Sequence, residues 1–166
     1  MTTTRPTGTA PEATASRVAA SPADARALGL AHYAARGVLE HFLARHGLTF
    51  PQQIALRAAV TAETPRTRDE LVTEVRGVLK ADPAALHATL DELVAGGLLA
   101  VAGAHLRPTE AGRAALAAVA AETAPVSARI WGGIPAEDLA AAGRVLALVT
   151  ERADAELARL TAGAPA

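Results

Sequence analysis

The chain contains no cysteine, only one tryptophan, one tyrosine and two phenylalanines, and a single lysine, Lys80. The missing cysteines exclude disulfides, thiolate metal sites and cysteine nucleophiles. Aromatic residues make up 2% of a chain that is 51% apolar, so its core must be built from alanine, leucine and valine. Such small side chains suit closely packed helices better than a sheet sandwich. An excess of either charge is missing too: 16 basic against 17 acidic residues give a net charge of −1, without the overall basic excess of many nucleic-acid binders. The arginine-for-lysine bias fits the codon usage of a GC-rich genome. No Gly-rich phosphate loop, Gly-x-Ser-x-Gly elbow or His-Glu-x-x-His helix occurs, so no enzyme motif stands out and no cofactor is expected. The longest uncharged run, Leu93 to Leu106, is too short and too broken by glycine to span a bilayer.

What is present centres on Thr67 to Gly112. Thr67 with Glu70 forms a capping box, which satisfies two orphan N–H groups at a helix start. Leu71, Val75 and Val78/Leu79 then recur at helical spacing. Asp82-Pro83 starts a second helix, with aspartate as cap and proline where a missing N–H costs nothing. Its buried stripe is Leu86, Leu90, Leu93 and Val94, and Gly96-Gly97 ends it. Two helices so closely joined make a helix-turn-helix pattern. Two short runs follow, Leu98 to Val101 and Ala104 to Arg107, joined through Ala102-Gly103 as a hairpin wing. Pro108 should interrupt the second run and Thr109 cap the next helix. The expected fold is mostly α with a small β-hairpin wing: a winged helix-turn-helix domain flanked by long helices.

The flanks are simpler. Residues 1–20 are rich in Thr, Ala, Pro and Ser and predict a flexible tail without the apolar core of a signal peptide. Ser21-Pro22 predicts a helix start, with an apolar stripe through Leu28, Ala31, Ala35, Val38/Leu39, Phe42 and Leu43 up to Gly47. Thr49 and Gln52 make another capping box. Residues 62–66 read as a connector. A helix from Ala111 to about Ile130 should be interrupted or bent at Pro125, and Pro135 should start the last helix. In that helix Leu139, Ala142, Leu146, Val149, Ala153, Leu157 and Leu160 repeat every three or four residues. The expected domain is 21–160, with a winged segment over about 49–113, long helices over about 22–46 and 111–160, and a frayed tail over 161–166.

In their order and spacing, several stretches resemble the MarR family of winged-helix transcriptional regulators. These are Leu48 to Leu56, Asp69-Glu70-Leu71, Leu93 to Leu99, and Leu106 to Gly112. The resemblance runs from about Asp24 to Leu160. It implies a cytoplasmic homodimer whose interface uses the terminal helices, including Leu28, Phe42, Leu139, Leu146, Val149 and Leu157. It also implies a small aromatic or phenolic effector, for which His32, Tyr33, Phe42 and Trp131 are candidate pocket residues. Double-stranded DNA is the implied partner, with the helix from Asp82 to Ala95 in the major groove. There Ala84, Ala85, His87 and Ala88 would face bases, and Arg66, Arg68, Lys80 and Arg107 would reach phosphates.

The chain departs from the family at this surface. Residues 65–113 carry 6 basic and 7 acidic side chains, a local charge of 6 − 7 = −1. The recognition positions are small, and the short wing lacks the family's Asp-x-Arg element. Weak DNA binding is therefore expected. The alternative is a MarR-like scaffold that has lost DNA binding and serves in ligand binding, protein interaction or catalysis. A metal site is not expected: His41 and His46, near Glu40, are five apart and off a shared helix face.

Overall fold

The structure, a computed structural model, describes residues 22–163. Its elements run α1 (Ala25–Arg45), α2 (Phe50–Thr61), β1 (Arg66–Thr67), α3 (Arg68–Leu79), α4 (Pro83–Ala95), β2 (Leu99–Ala102), β3 (His105–Pro108), α5 (Glu110–Trp131) and α6 (Ala136–Ala162). Six helices and a small antiparallel sheet ordered β1-β3-β2 give the expected winged-helix class. None of the described helices is long and apolar enough to cross a membrane. The chain divides into two compact units, Met1–Val38 and Leu39–Ala166, with the boundary inside α1.

In the first unit the helix start differs from expectation. Helix α1 starts at Ala25, and the Asp24 carboxylate before it accepts the Ala27 N–H at 2.7 Å. Ser21 and the expected tail over 1–20 lie outside the described residues. An aspartate three residues before a free amide is a good acceptor, and its charge also suits the helix N-terminus.

The second unit is held by local signals that behave as the sequence predicts. Both capping boxes form, Thr49 with Gln52 and Thr67 with Glu70. Asp82 caps α4 by accepting from the Ala84 and Ala85 amides. After α4, the Leu98 N–H reaches the Leu93 carbonyl and the Gly97 N–H that of Val94, a Schellman closure with Gly97 at φ +70°. Leu71, Val75, Leu86, Leu90 and Leu93 are buried as expected, together with Leu43, Leu56, Leu99, Leu106 and Val119. Each buried leucine contributes roughly 1.5–3 kcal/mol relative to exposure. Val78 is exposed and Leu79 only partly buried, so the α3 stripe ends a turn early.

Several boundaries shift. Arg66 and Thr67, expected to end a connector, pair as β1 with Leu106 and His105. The wing is displaced by one residue, with Ala102 opposite His105 and a two-residue loop at Gly103-Ala104. Gly103, at φ +63°, provides the left-handed residue that a tight hairpin needs. Pro108 does not interrupt the strand but ends it, opposite Leu99. It is tolerated there because β1 pairs only with residues 105 and 106, so no neighbour on that side needs its N–H. Helix α5 continues through Pro125 as one element, forgoing only the bond from residue 125 to the Ala121 carbonyl. Pro135 caps α6 from outside, its carbonyl accepting from Asp138 and Leu139. Thr161 and Ala162, expected in a frayed tail, belong to α6, and residues 164–166 lie outside the described residues.

The resembling motifs meet at one place. The Thr109 hydroxyl donates toward the Gly97 and Leu98 carbonyls, at 2.7 and 3.1 Å, and accepts from the Gly112 amide at 3.0 Å. The Thr109 N–H also donates to the Leu98 carbonyl. The wing's entry and exit are thus fastened to the first turn of α5, and Gly112 leaves the space for that approach.

Candidate nucleic-acid interface

Helix α4 presents Ala84, Ala85, Ala88, Asp91, Glu92 and Ala95 along one exposed face, with His87 half-buried beside it. The four alanines let another backbone approach closely and carry no donor. Thr89 adds none toward solvent, since its hydroxyl donates to the Ala85 carbonyl at 3.0 Å.

The charged groups around this face are already engaged. Arg68, at the start of α3, reaches Asp91 with Nη1 at 2.7 Å and lies 3.4 Å from the His87 carbonyl. This ties the two helices of the motif together and neutralises one carboxylate on the α4 face. Gln52 donates to Glu92 at 2.8 Å, so a residue of the first capping box also braces α4. His87 Nε2 stands 3.9 Å from Asp69, an electrostatic neighbour beyond hydrogen-bond reach. Lys80 takes a left-handed conformation at the end of α3 and pairs with Asp154 of α6 at 2.8 Å. Arg66 is half-buried in β1, with its Nε buried and without a hydrogen-bond partner. Arg107, exposed on β3, lines with Arg113, Glu63 and Pro65 a surface cavity of about 380 Å³. The wing tip carries no cation. Of the basic groups expected to reach DNA, Arg68 and Lys80 are therefore paired within the chain, while Arg107 has no ion pair among the described residues.

Glu70 sits at the base of α3, and its carboxyl is held below the ordinary value of 4.5. The largest cause is the Thr67 backbone N–H, at 2.8 Å, followed by the Thr67 hydroxyl. A carboxyl whose folded pKa is depressed stabilises the fold above the ordinary value and loses that contribution as pH falls through the lowered one. Glu70→Gln keeps the capping box, so its melting temperature at neutral pH should stay close to the parent's. Below about pH 4.5 the parent should lose more stability than the variant. Parallel melting curves across the acid range check this.

The remaining candidates fall in separate places. His32 and Tyr33 belong to the first unit, their rings edge-to-face at 5.4 Å, with Tyr33 well exposed. Phe42, in the second unit, lies edge-on to His41, and the Arg45 guanidinium stands 5.9 Å from its ring centre. Trp131 ends α5 and is 55% exposed. Leu28, Leu146 and Val149 are exposed, Leu139 is half-buried, and Leu157 lines a cleft against the turn between α3 and α4. A cluster the sequence did not suggest joins the end of α1 to α5. There Glu122 lies 3.2 Å from His46 Nε2 and 3.0 Å from Arg45 Nη1. No local pattern announces a partnership across so much chain.

No family model and no curated protein matches the chain. Solved structures do. A MarR family transcription regulator superposes with TM-score 0.66 at 21% identity, over 81% of this chain and 89% of its own. CouR from Rhodococcus jostii RHA1, bound to p-coumaroyl-CoA, gives 0.62 at 20% identity, over 74% and 88%. A Mycobacterium tuberculosis MarR family protein in complex with DNA gives 0.59 at 23% identity, over 76% and 98%. The chain has the MarR-family fold. Within the MarR fold, α3 and α4 form the helix-turn-helix and β2–β3 the wing.

Proposed function

We propose that this chain is a homodimeric, DNA-binding transcriptional regulator of the MarR kind, acting in the cytoplasm and responsive to a small ligand. The observation that carries the reading is the construction of α4. It is capped by Asp82, braced by Arg68 and Gln52, and smooth along Ala84, Ala85 and Ala88, on a winged scaffold resembling one solved with DNA. A rigid helix with a small-residue face enters a major groove without steric cost, reading thymine methyls and shape, with His87 as the polar contact.

Electrostatics sets the strength. Arg66, Arg68, Lys80 and Arg107 give a dimer up to eight cations, but Arg68 and Lys80 must first leave Asp91 and Asp154. Binding should therefore be weak, with a salt slope near that of about four neutralised phosphates. Titration of the dimer on DNA upstream of its own gene, at two or more salt concentrations, measures this. Arg107→Ala should weaken binding on all sequences alike, roughly threefold to tenfold, and His87→Ala should mainly relax choice among sequences.

The same ion pairs favour a second reading, a scaffold of this fold that has given up DNA. Absence of any footprint at low salt would decide for it.

A further inference from the structure

We propose that the surface cavity between the α2–β1 connector, the end of β3 and the first turn of α5 binds a small apolar α-amino acid in its zwitterionic form. The cavity has a volume of about 380 Å³, within the range of small-molecule sites. It owes its shape to two prolines. β1 pairs Arg66 with Leu106, and by that antiparallel register Pro65 would fall opposite Arg107. Pro65 has no N–H with which to extend the ladder, and neither has Pro108 beyond it. The connector therefore leaves the edge of β3 at this point, and both segments line the gap.

The charges around the gap select the ligand. Arg107 at the end of β3 and Arg113 in the first turn of α5 line it as cations, and Glu63 in the connector lines it as an acid. All three residues are exposed, and none makes an ion pair among the described residues. Arg45, Arg68 and Lys80, by contrast, each have a carboxylate. Opposite charges that border one cavity without meeting leave room for a molecule carrying both. A ligand carboxylate accepts from the two guanidinium groups, and its ammonium donates to the Glu63 carboxylate, with the Thr64 hydroxyl oxygen as a second acceptor. A simple anion would meet the same arginines but also an uncompensated Glu63, and a simple cation would meet Glu63 against two arginines. A molecule of both signs satisfies all three.

The remaining walls are Ala59 and Ala62 at the end of α2, with the rings of the two prolines. They offer no polar side-chain atom, so the body of the ligand is hydrocarbon, and a branched aliphatic side chain such as leucine's suits them. The binding does not depend on the proposed function.

The test is an amide NMR titration of the full chain with four probes. These are L-leucine, 4-methylpentanoate (which lacks the ammonium), 3-methylbutylamine (which lacks the carboxylate) and inorganic phosphate. Saturable shifts at Ala62, Thr64 and Arg107 are expected with leucine, and binding about tenfold or more weaker with each of the others. Arg113→Ala should weaken leucine about tenfold. Glu63→Gln should weaken leucine severalfold without weakening 4-methylpentanoate, which erases the preference between them. Both residues are exposed and outside the core, so the variants should melt with the parent. Equal or tighter binding of 4-methylpentanoate or phosphate by the parent makes this a plain anion site and overturns the proposal. So does the absence of a saturable shift, a set of shifts confined to other residues, or leucine binding that neither variant changes. DNA titration of the same samples keeps the two claims apart. DNA binding without cavity shifts removes the site and leaves the regulator, whereas cavity shifts without any DNA binding keep the site and remove the regulator.

Discussion

Gly112→Ala should lower the melting temperature by roughly 10 °C, the effect of an overpacking cost of about 3 kcal/mol on a domain of this size. A Cβ at this position would stand 2.3 Å from the Leu98 carbonyl oxygen and 3.2 Å from Leu56 Cδ1. Neither neighbour has room to yield. The Leu98 carbonyl accepts from the Thr109 amide and hydroxyl, while the Leu98 N–H is fixed to the Leu93 carbonyl in the closure of α4. Leu56 is fully buried in the core. The added methyl must therefore push α5 away from the wing's root and break the Thr109 lock. Gly143→Ala is the control: it lies within α6 with nothing within 4 Å of its Cβ. There the lower backbone entropy of alanine should stabilise by about 0.5–1 kcal/mol. Calorimetry at one fixed protein concentration compares them, and equal melting of the parent and Gly112→Ala would remove the lock from the account.

That lock also marks how far the sequence can be read. Thr109 and Gly112 stand out as a motif because a cap and a close approach both demand particular residue types a few positions apart. The same holds for Thr49 with Gln52, Thr67 with Glu70, Asp82 with Pro83 and the paired glycines after α4. Each is a local bargain between a side chain and a nearby backbone group, and each forms. The two-residue strand β1 leaves no such trace, since its pairing is decided by β3 some forty positions away. The placement of the site's charges was equally hidden. Arg68 with Asp91, Gln52 with Glu92 and Lys80 with Asp154 join residues that share no periodicity. Counting charges over residues 65–113 anticipates near-neutrality, but it cannot tell which cations are already paired. The structure makes the difference between Arg68, held by a carboxylate, and Arg107, which has none among the described residues.

Leu146→Asp with Val149→Asp should turn a dimer into a monomer in light scattering, the largest single change in behaviour expected of this protein. Helix α6 is 27 residues long and has no buried residue, although it repeats apolar side chains at helical spacing throughout. At about 1.5 Å per residue such a helix extends roughly 40 Å, far more than its contact with the α3–α4 turn covers. Leu146 and Val149 remain 45% and 41% exposed, with Val145 and Leu148 equally open. A contiguous apolar face of this kind is what a partner surface buries, and a second copy of the same helix offers a matching one by two-fold symmetry. Each aspartate placed there would be buried without a counter-charge, at about 3–5 kcal/mol apiece. Two per subunit exceed the association energy of roughly 8–12 kcal/mol that micromolar to nanomolar dimers possess. Neither residue belongs to the core around Leu71 and Leu90, so slow hydrogen exchange at those amides should survive the change. Arg144→Asp, also on α6, is the charge control and should leave the dimer intact. A parent chain that already scatters as a monomer, or a double variant that still scatters as a dimer, refutes this assignment of the interface. In the first case the DNA salt slope should also fall to about half, since one subunit then supplies all the phosphate contacts.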